Sequence, residues 1–307
     1  MLGAGGVGGI FGARLHAGGA DVTFLVRPKR ATLLRERGLR VYGALGEIHV
    51  KEPRLIVVGT HDAQHFDAVL MSCKAYDLDT AIDAVRPYMG PDTVVVPLLN
   101  GLLHLDTLDR AFGAHRVLGG LAQVSSAIDA SGDIKQFTGV QALIYGARSD
   151  TQRAAAEALD AALKSGGFDA RLSPDITLEM WEKFVLLASL AAMTCLMRAN
   201  IGEIAATQDG AALMSRTIDD CAAVAAAAGF RPRGKYLETV RALLTQKGSL
   251  LEASMRRDMD AGGRTEADHI LGDMLARATA ARIEASLLRA AYCRLQVHES
   301  HLRAAAS

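Results

Sequence analysis

The chain carries little of what marks secreted, metal-bound, nucleic-acid-binding or membrane proteins. Its 307 residues include four cysteines, Cys73, Cys195, Cys221 and Cys293, scattered and without a C-x-x-C pair. That excludes a disulfide framework and predicts free, buried thiols in a reducing compartment. There is no net charge, with 34 basic residues against 34 acidic, so neither a nucleic-acid surface nor a polybasic membrane patch is expected. The longest apolar run, FVLLASLAAMTCLM between Lys183 and Arg198, is too short to span a bilayer and reads as a buried core helix. The N-terminus has neither a basic leader region nor a continuous apolar core after it, so no signal peptide is expected and the cytoplasm is the expected location. His61 and His65 stand four apart without an acidic or cysteine partner pattern, which predicts no metal site. The remaining histidines form no visible constellation, and no internal repeat is present.

What is present is a chain long enough for two domains, half of it hydrophobic. The first half alternates strand and helix patterns. IFGARLHAGG reads as a helix, DVTFLV as a strand, and PKRATLLRERG as a helix with Pro28 near its start and Gly38 at its end. LRVYGALGEIHV and RLIVVG read as short antiparallel strands. FDAVLMSC is a nearly continuous apolar strand, followed by the helix YDLDTAIDAVRPYM, the strand TVVVPLL and the helix GLLHLDTLDRAF. Such alternation predicts a parallel sheet with helices on both faces. Residues 117–147 read as short strands with Gly turns, then come a helix and the last strand, FDARL. Residues 175–307 read as helix throughout, broken near Gly229–Pro232 and Gly262–Gly263. The fold class is therefore α/β, with a Rossmann-type domain over residues 1–173 and an all-helical domain over 174–307.

The N-terminus, MLGAGGVGGIFG, contains G-x-G-x-x-G at Gly3, Gly5 and Gly8. Gly3 suits the tight turn, Gly5 a close approach of backbone to a pyrophosphate, and Gly8 helix–strand packing, with the helix N-terminus facing the anion. Only Met1 and Leu2 precede the turn, too little for the central strand such a sheet needs; a chain short of about five alternating apolar residues at this end is the simplest expectation. At the end of the second strand, FLVRPKR has no acid for ribose hydroxyls. Arg27 stands there instead, with Lys29 and Arg30 behind it, and a guanidinium suits a 2′-phosphate. The expected cofactor is NADP(H).

Lys74 and Asn100 lie just past the carboxyl ends of two predicted parallel strands, the edge where open α/β sheets bind ligands; Asn100 also suits a helix N-cap. In the helical half, Lys183 interrupts an apolar helix face that continues through Leu187 and Ala191. Further on, EASMRRDMDAGGRTEADHI carries Ser254, Asp258 and Glu266.

Taken together, GAGGVGG, VRPKR, SCKAYD, LLNG, WEKF and SMRRDMDAGGRTEADHI make the chain resemble the ketopantoate reductases (2-dehydropantoate 2-reductases) over essentially its full length. The resemblance implies NADPH-dependent reduction of a small-molecule 2-oxo acid, with ketopantoate in pantothenate synthesis as the leading substrate. It implies that Gly3, Ala4, Gly5, Gly6, Val7 and Gly8 hold the pyrophosphate and Arg27 the 2′-phosphate. Lys74 and Asn100 would line the nicotinamide end, and a backbone contact to the cofactor would fall near Ile128. Lys183 would be the proton donor with Glu266 as its partner, Glu266 also lying at the cofactor, and Ser254 would receive the substrate carboxylate. The family usually carries Asn four and eight residues after that Lys. Here stand Leu187 and Ala191, which removes two amides worth about 0.5–1.5 kcal/mol each. Ser189, Thr194 or Asn200 would have to compensate; otherwise the site suits a more apolar 2-oxo acid. A non-catalytic NADP(H)-binding regulator would need no Lys183 or Glu266. The Ala- and Leu-rich helices are compatible with a homodimer face and equally with packing on one another.

Overall fold

A computed structural model describes residues 1–60 and 64–306. Two compact units emerge, one of Met1–Leu99 with His104–Ile176, the other of Asn100–Leu103 with Thr177–Ser307. The first is a doubly wound α/β unit and the second is helical, the class read from the sequence.

In the first unit the order is α1 (Gly6–Ala17), β1 (Thr23–Val26), α2 (Pro28–Arg37), β2 (Leu39–Gly43), β3 (Ile48–Val50), β4 (Arg54–Val57), β5 (Phe66–Met71), α3 (Leu78–Val85), β6 (Met89–Pro97), α4 (Leu103–Phe112), β7 (Gly119–Ile128), β8 (Ile134–Gly146), α5 (Arg153–Lys164) and β9 (Asp169–Leu172). Strand β4 pairs with β1 and β5 with β6, both parallel. Leu2 joins the two pairs through parallel bridges to Leu25 and Met71. The central place of the sheet is thus held by Met1 and Leu2 alone: the Leu2 N–H donates to the Leu70 carbonyl and the Gly3 N–H to that of Leu25, both at 2.9 Å. The Met1 nitrogen donates to the Thr23 carbonyl (2.8 Å). A small, partly open pocket lies beside it, walled by Leu25, Ile56, Phe66, Val69, Val85 and Tyr88.

Three sequence expectations are corrected here. RLIVVG is not antiparallel: β4 runs parallel to β1, Thr23 opposite Arg54 and Val26 opposite Val57. A strand that returns through a helical crossover comes back parallel, and the β2–β3 hairpin is an excursion within that crossover. Residues 117–147 form two long antiparallel strands, not several short ones. Their turn is built by Asp129, whose Oδ1 accepts from the N–H groups of Ser131 and Asp133 and from the Ser131 hydroxyl. Gly120 and Gly139 lie inside these strands and not at turns; a Cβ at Gly120 would sit 2.5 Å from the Pro97 carbonyl oxygen. The helical half has more breaks than expected. The core of the first unit gathers Ile10, Phe11, Phe24, Leu34, Leu143 and Tyr145, all buried; each large apolar side chain so placed contributes about 1.5–3 kcal/mol.

The second unit contains α6 (Ile176–Met197), α7 (Ile201–Ala206), α8 (Gly210–Ala227), α9 (Gly234–Leu244), α10 (Ser254–Asp260), a π-helical turn (Asp268–Gly272), α11 (Asp273–Ala280) and α12 (Ser286–Ala306). The additional breaks have local causes. Arg198 takes φ +52° and Arg282 φ +57°, left-handed conformations that end a helix. Asn200 and Glu203 then form a capping box that starts α7. Helix α6 is longer than its apolar run suggested and, at 22 residues, passes the length and composition test for a membrane span. Yet 72% of its apolar window is buried inside the protein, as befits a core helix.

Candidate active site

The candidate residues read from the sequence fall into two groups, one in each unit. In the first, Gly3 takes φ +86°, the left-handed region that favours glycine. Gly5 is the extended N-cap of α1, and a Cβ there would meet nothing within 4 Å. Gly8 is pinned from the other side: a Cβ would run into the Ser72 hydroxyl and approach the Gly3 carbonyl oxygen to 2.5 Å. Ser72 Oγ donates to the Leu2 carbonyl (2.7 Å) and so closes the base of the turn. Ala4 is buried and Val7 half-buried. The free N–H groups of α1, with no acidic residue in its first turn, therefore open onto unfilled space at Gly5, a cradle that fits a pyrophosphate.

Arg27 is the N-cap of α2. Its guanidinium is largely exposed and pairs with Asp77 at 3.0 Å. Arg30 lies deeper: its Nε donates to the Ala4 carbonyl (3.1 Å) and its Nη1 to that of Gly132 (2.6 Å). Its Nη2 is buried and has no partner. Lys74 is half-buried at the start of a short 3₁₀ turn, where its carbonyl accepts from the Asp77 N–H. Ile128 is exposed at the end of β7. The residue of that strand set against the glycine turn is Ser126, whose Oγ would lie 2.7 Å from a Cβ on Gly6. Neither Ser72 nor Ser126 was singled out from the sequence, although Ser72 opens the quoted SCKAYD.

The second group sits in the helical unit. WEKF shows why Lys183 faces where it does. Trp181 stacks on Phe230 (5.7 Å between centroids) and lies beneath the Arg277 guanidinium (5.1 Å). Glu182 is buried and accepts from the Arg233 backbone N–H (2.8 Å) and Nε (2.9 Å). With Phe184 and Val185 buried as well, the helix is anchored on that side, and Lys183 and Leu187 are left half-buried, with Ala191 buried one turn on. Burial lowers the Lys183 ammonium to about 8, and the negative charge of Glu266 acts in the opposite direction. Glu266 is half-buried and begins the last segment of the site; its carbonyl accepts from Ile270 N (3.0 Å). Thr265, just before it, is held twice by Glu299 of α12, through its N–H and its hydroxyl, each at 2.7 Å.

Asn100 belongs to this unit, and it is not a helix cap, because α4 begins only at Leu103. The His269 imidazole hydrogen-bonds its backbone. Ser254 is exposed at the first position of α10. Two of the three proposed substitutes for the lost amides are engaged elsewhere. Ser189 is buried and its hydroxyl has no hydrogen-bond partner among the described residues, Thr194 Oγ1 donates to the Leu190 carbonyl (2.7 Å), and Asn200 caps α7 through the Glu203 N–H (2.9 Å). His269 was passed over in the sequence, where its partners are invisible. His65 is exposed, and His61 lies outside the described residues.

Comparison with known proteins places this geometry in context. The model of the family described as ketopantoate reductase PanE/ApbA matches residues 1–150, and that of its C-terminal domain residues 175–299. The chain is 33% identical over 300 residues to an oxidoreductase of Bacillus subtilis, YkpB, with 98% of each chain covered. It is 27% identical over 282 residues to a 2-dehydropantoate 2-reductase of Halobacterium salinarum, covering 91% of each. A solved structure of D-mandelate dehydrogenase with NADH and anilino(oxo)acetate superposes with a TM-score of 0.87 at 21% identity, over 99% of this chain and 100% of that one.

Proposed function

The chain belongs to the ketopantoate reductase family, and we propose that it reduces a 2-oxo acid to the 2-hydroxy acid with NADPH. The observation that carries this reading is a half-buried lysine at the start of the apolar stretch of α6, its ammonium lowered to about 8 by burial against the opposing influence of Glu266. A cofactor sensor has no use for such a group.

The first turn of α1 with Gly3, Gly5 and Gly6 would hold the pyrophosphate. Arg27 would hold the 2′-phosphate, since no acid stands at the end of β1. When bound, the nicotinamide supplies hydride to the 2-oxo carbon. Lys183 does the rest. Its Nζ, charged below pH about 8, stabilises the negative charge that develops on the oxo oxygen and then delivers its proton there. Glu266 sustains the charged form of that ammonium, and Asn100 supplies an amide to the carboxamide or the oxo acid.

The substrate side chain is read as apolar, branched or aromatic, because Leu187 and Ala191 follow Lys183 at helical spacing and Thr194 and Asn200 are engaged elsewhere. D-mandelate dehydrogenase illustrates that the fold serves oxo acids other than ketopantoate. Ketopantoate is the second reading, favoured by the family match. Loss of NADPH absorbance against ketopantoate, 2-oxoisovalerate, 2-oxoisocaproate and phenylglyoxylate, with NADH as control, tests both. The expected order puts the apolar acids first. Introducing Leu187→Asn and Ala191→Asn together should shift kcat/KM toward ketopantoate by about tenfold, two hydrogen bonds' worth. A parent enzyme that prefers ketopantoate by a large margin removes the apolar reading, and inactivity toward all four removes the reductase reading.

A further inference from the structure

We propose that His269 is a positioning residue for this site, one that fixes Asn100 relative to Glu266. The inference rests on the site as read above. Three observations meet at this side chain. Its imidazole hydrogen-bonds the Asn100 backbone. Its Cδ2 and its carbonyl oxygen lie 3.0 and 3.1 Å from where a Cβ on Gly101 would be, so that turn is docked on His269 through both ring and main chain. Finally, His269 lies within the π-helical turn that follows Glu266, and such turns displace side chains from ordinary helical spacing, frequently at functional sites.

The chemistry favours a neutral ring. His269 is buried, and desolvation lowers its pKa, while Glu266, Asp273 and the bond to Asn100 act to raise it. A neutral imidazole has one N–H, and giving it to the Asn100 carbonyl fixes the tautomer. The backbone of Asn100 and the start of the Glu266-bearing segment are thereby tied through one rigid ring. Freed from it, the Asn100 amide would move, and a displacement of about 1 Å at a positioning group costs up to a hundredfold.

The experiment is a double-mutant cycle on the full chain, with NADPH saturating and phenylglyoxylate and ketopantoate as probes. His269→Leu keeps the bulk and removes the ring nitrogens; His269→Gln returns a side-chain N–H. His269→Leu is expected to raise the oxo-acid KM about tenfold and His269→Gln to recover most of that. In Asn100→Ala, where the amide is already gone, adding His269→Leu should change KM less than twofold. A merely structural residue would lower the folded fraction, hence apparent kcat, and leave KM unmoved. A KM within twofold of the parent in His269→Leu, or effects that simply multiply in the double variant, overturns the inference and leaves the site intact. If Asn100→Ala itself changes neither kcat nor KM, the reading of the site falls and this inference with it. Should His269→Leu not fold, His269→Met carries the same comparison.

Discussion

At the glycine turn, the groups set to face a phosphate are backbone: the first N–H groups of α1, opened by Gly3 and Gly5 and supported from below by Ser72. In the helical unit the expected chemistry rests on one ammonium, Lys183, on a helix whose other positions are mostly apolar and buried. Backbone sites tolerate few residue types at their own positions and ask little of the rest of the chain. A side-chain site would make the reverse demand: the key residue stands out, and its placement would depend on distant supports such as Glu182–Arg233, Glu299 and His269.

That contrast is sharpest if the two halves can be disabled separately. Lys183→Ala should lower kcat by about 10²- to 10⁴-fold, the usual worth of a positioned acid, while leaving NADPH affinity unchanged by fluorescence titration. A parallel loss of NADPH binding would break the division. The pH profile refines the same prediction. Reduction needs the protonated amine, so kcat/KM should be flat below pH about 8 and fall tenfold per unit above it. Glu266 is the influence that raises this pKa, so Glu266→Gln must move the break to lower pH; a break that stays put or rises removes Glu266 from its role.

Gly8→Ala is the complementary lesion, smaller in rate and larger in binding. The new methyl would meet Ser72 Oγ and the Gly3 carbonyl, which is backbone and cannot rotate away. Overpacking of this kind costs about 1–3 kcal/mol, and the displaced turn should weaken NADPH binding while kcat at saturating cofactor holds. A fall in kcat with unchanged affinity would show that the turn serves the chemical step after all.

The same contrast explains what the sequence disclosed. Gly3, Gly5 and Gly8 were readable because a backbone conformation or a close approach dictates the residue type at its own position. Lys183 stood out as a candidate because it interrupts an apolar helix face that continues through Leu187 and Ala191. His269 was not readable, since its partner is the main chain of Asn100, brought to it only by folding. Nor was the direction of β4: four apolar residues in a row state that a strand is buried, and only the crossover through α2 dictates that it runs parallel to β1. The Gly turns expected over residues 117–147 misled for a related reason, because glycine serves close strand approach as well as turns, as at Gly120.

The smallest expected effect tests whether the first unit is as free of side-chain chemistry as its backbone cradle suggests. Arg27 pairs with Asp77 at 3.0 Å, on a largely exposed guanidinium. A 2′-phosphate arriving at Arg27 must share it with, or displace, that carboxylate. An exposed pair of this kind is worth about 0.2–1 kcal/mol. Asp77→Asn should therefore lower the KM for NADPH by up to about fivefold and leave the KM for NADH where it was, whereas Arg27→Ala should raise the KM for NADPH alone. If Arg27→Ala changes nothing, the phosphate is read elsewhere, and Arg30, with its buried and unpartnered Nη2, is the next residue to replace. If Arg27→Ala acts and Asp77→Asn does not, Arg27 leaves its partner without cost, and cofactor choice lies with a single side chain; a rise in the NADH KM on either substitution would mean that the pair shapes the ribose site itself.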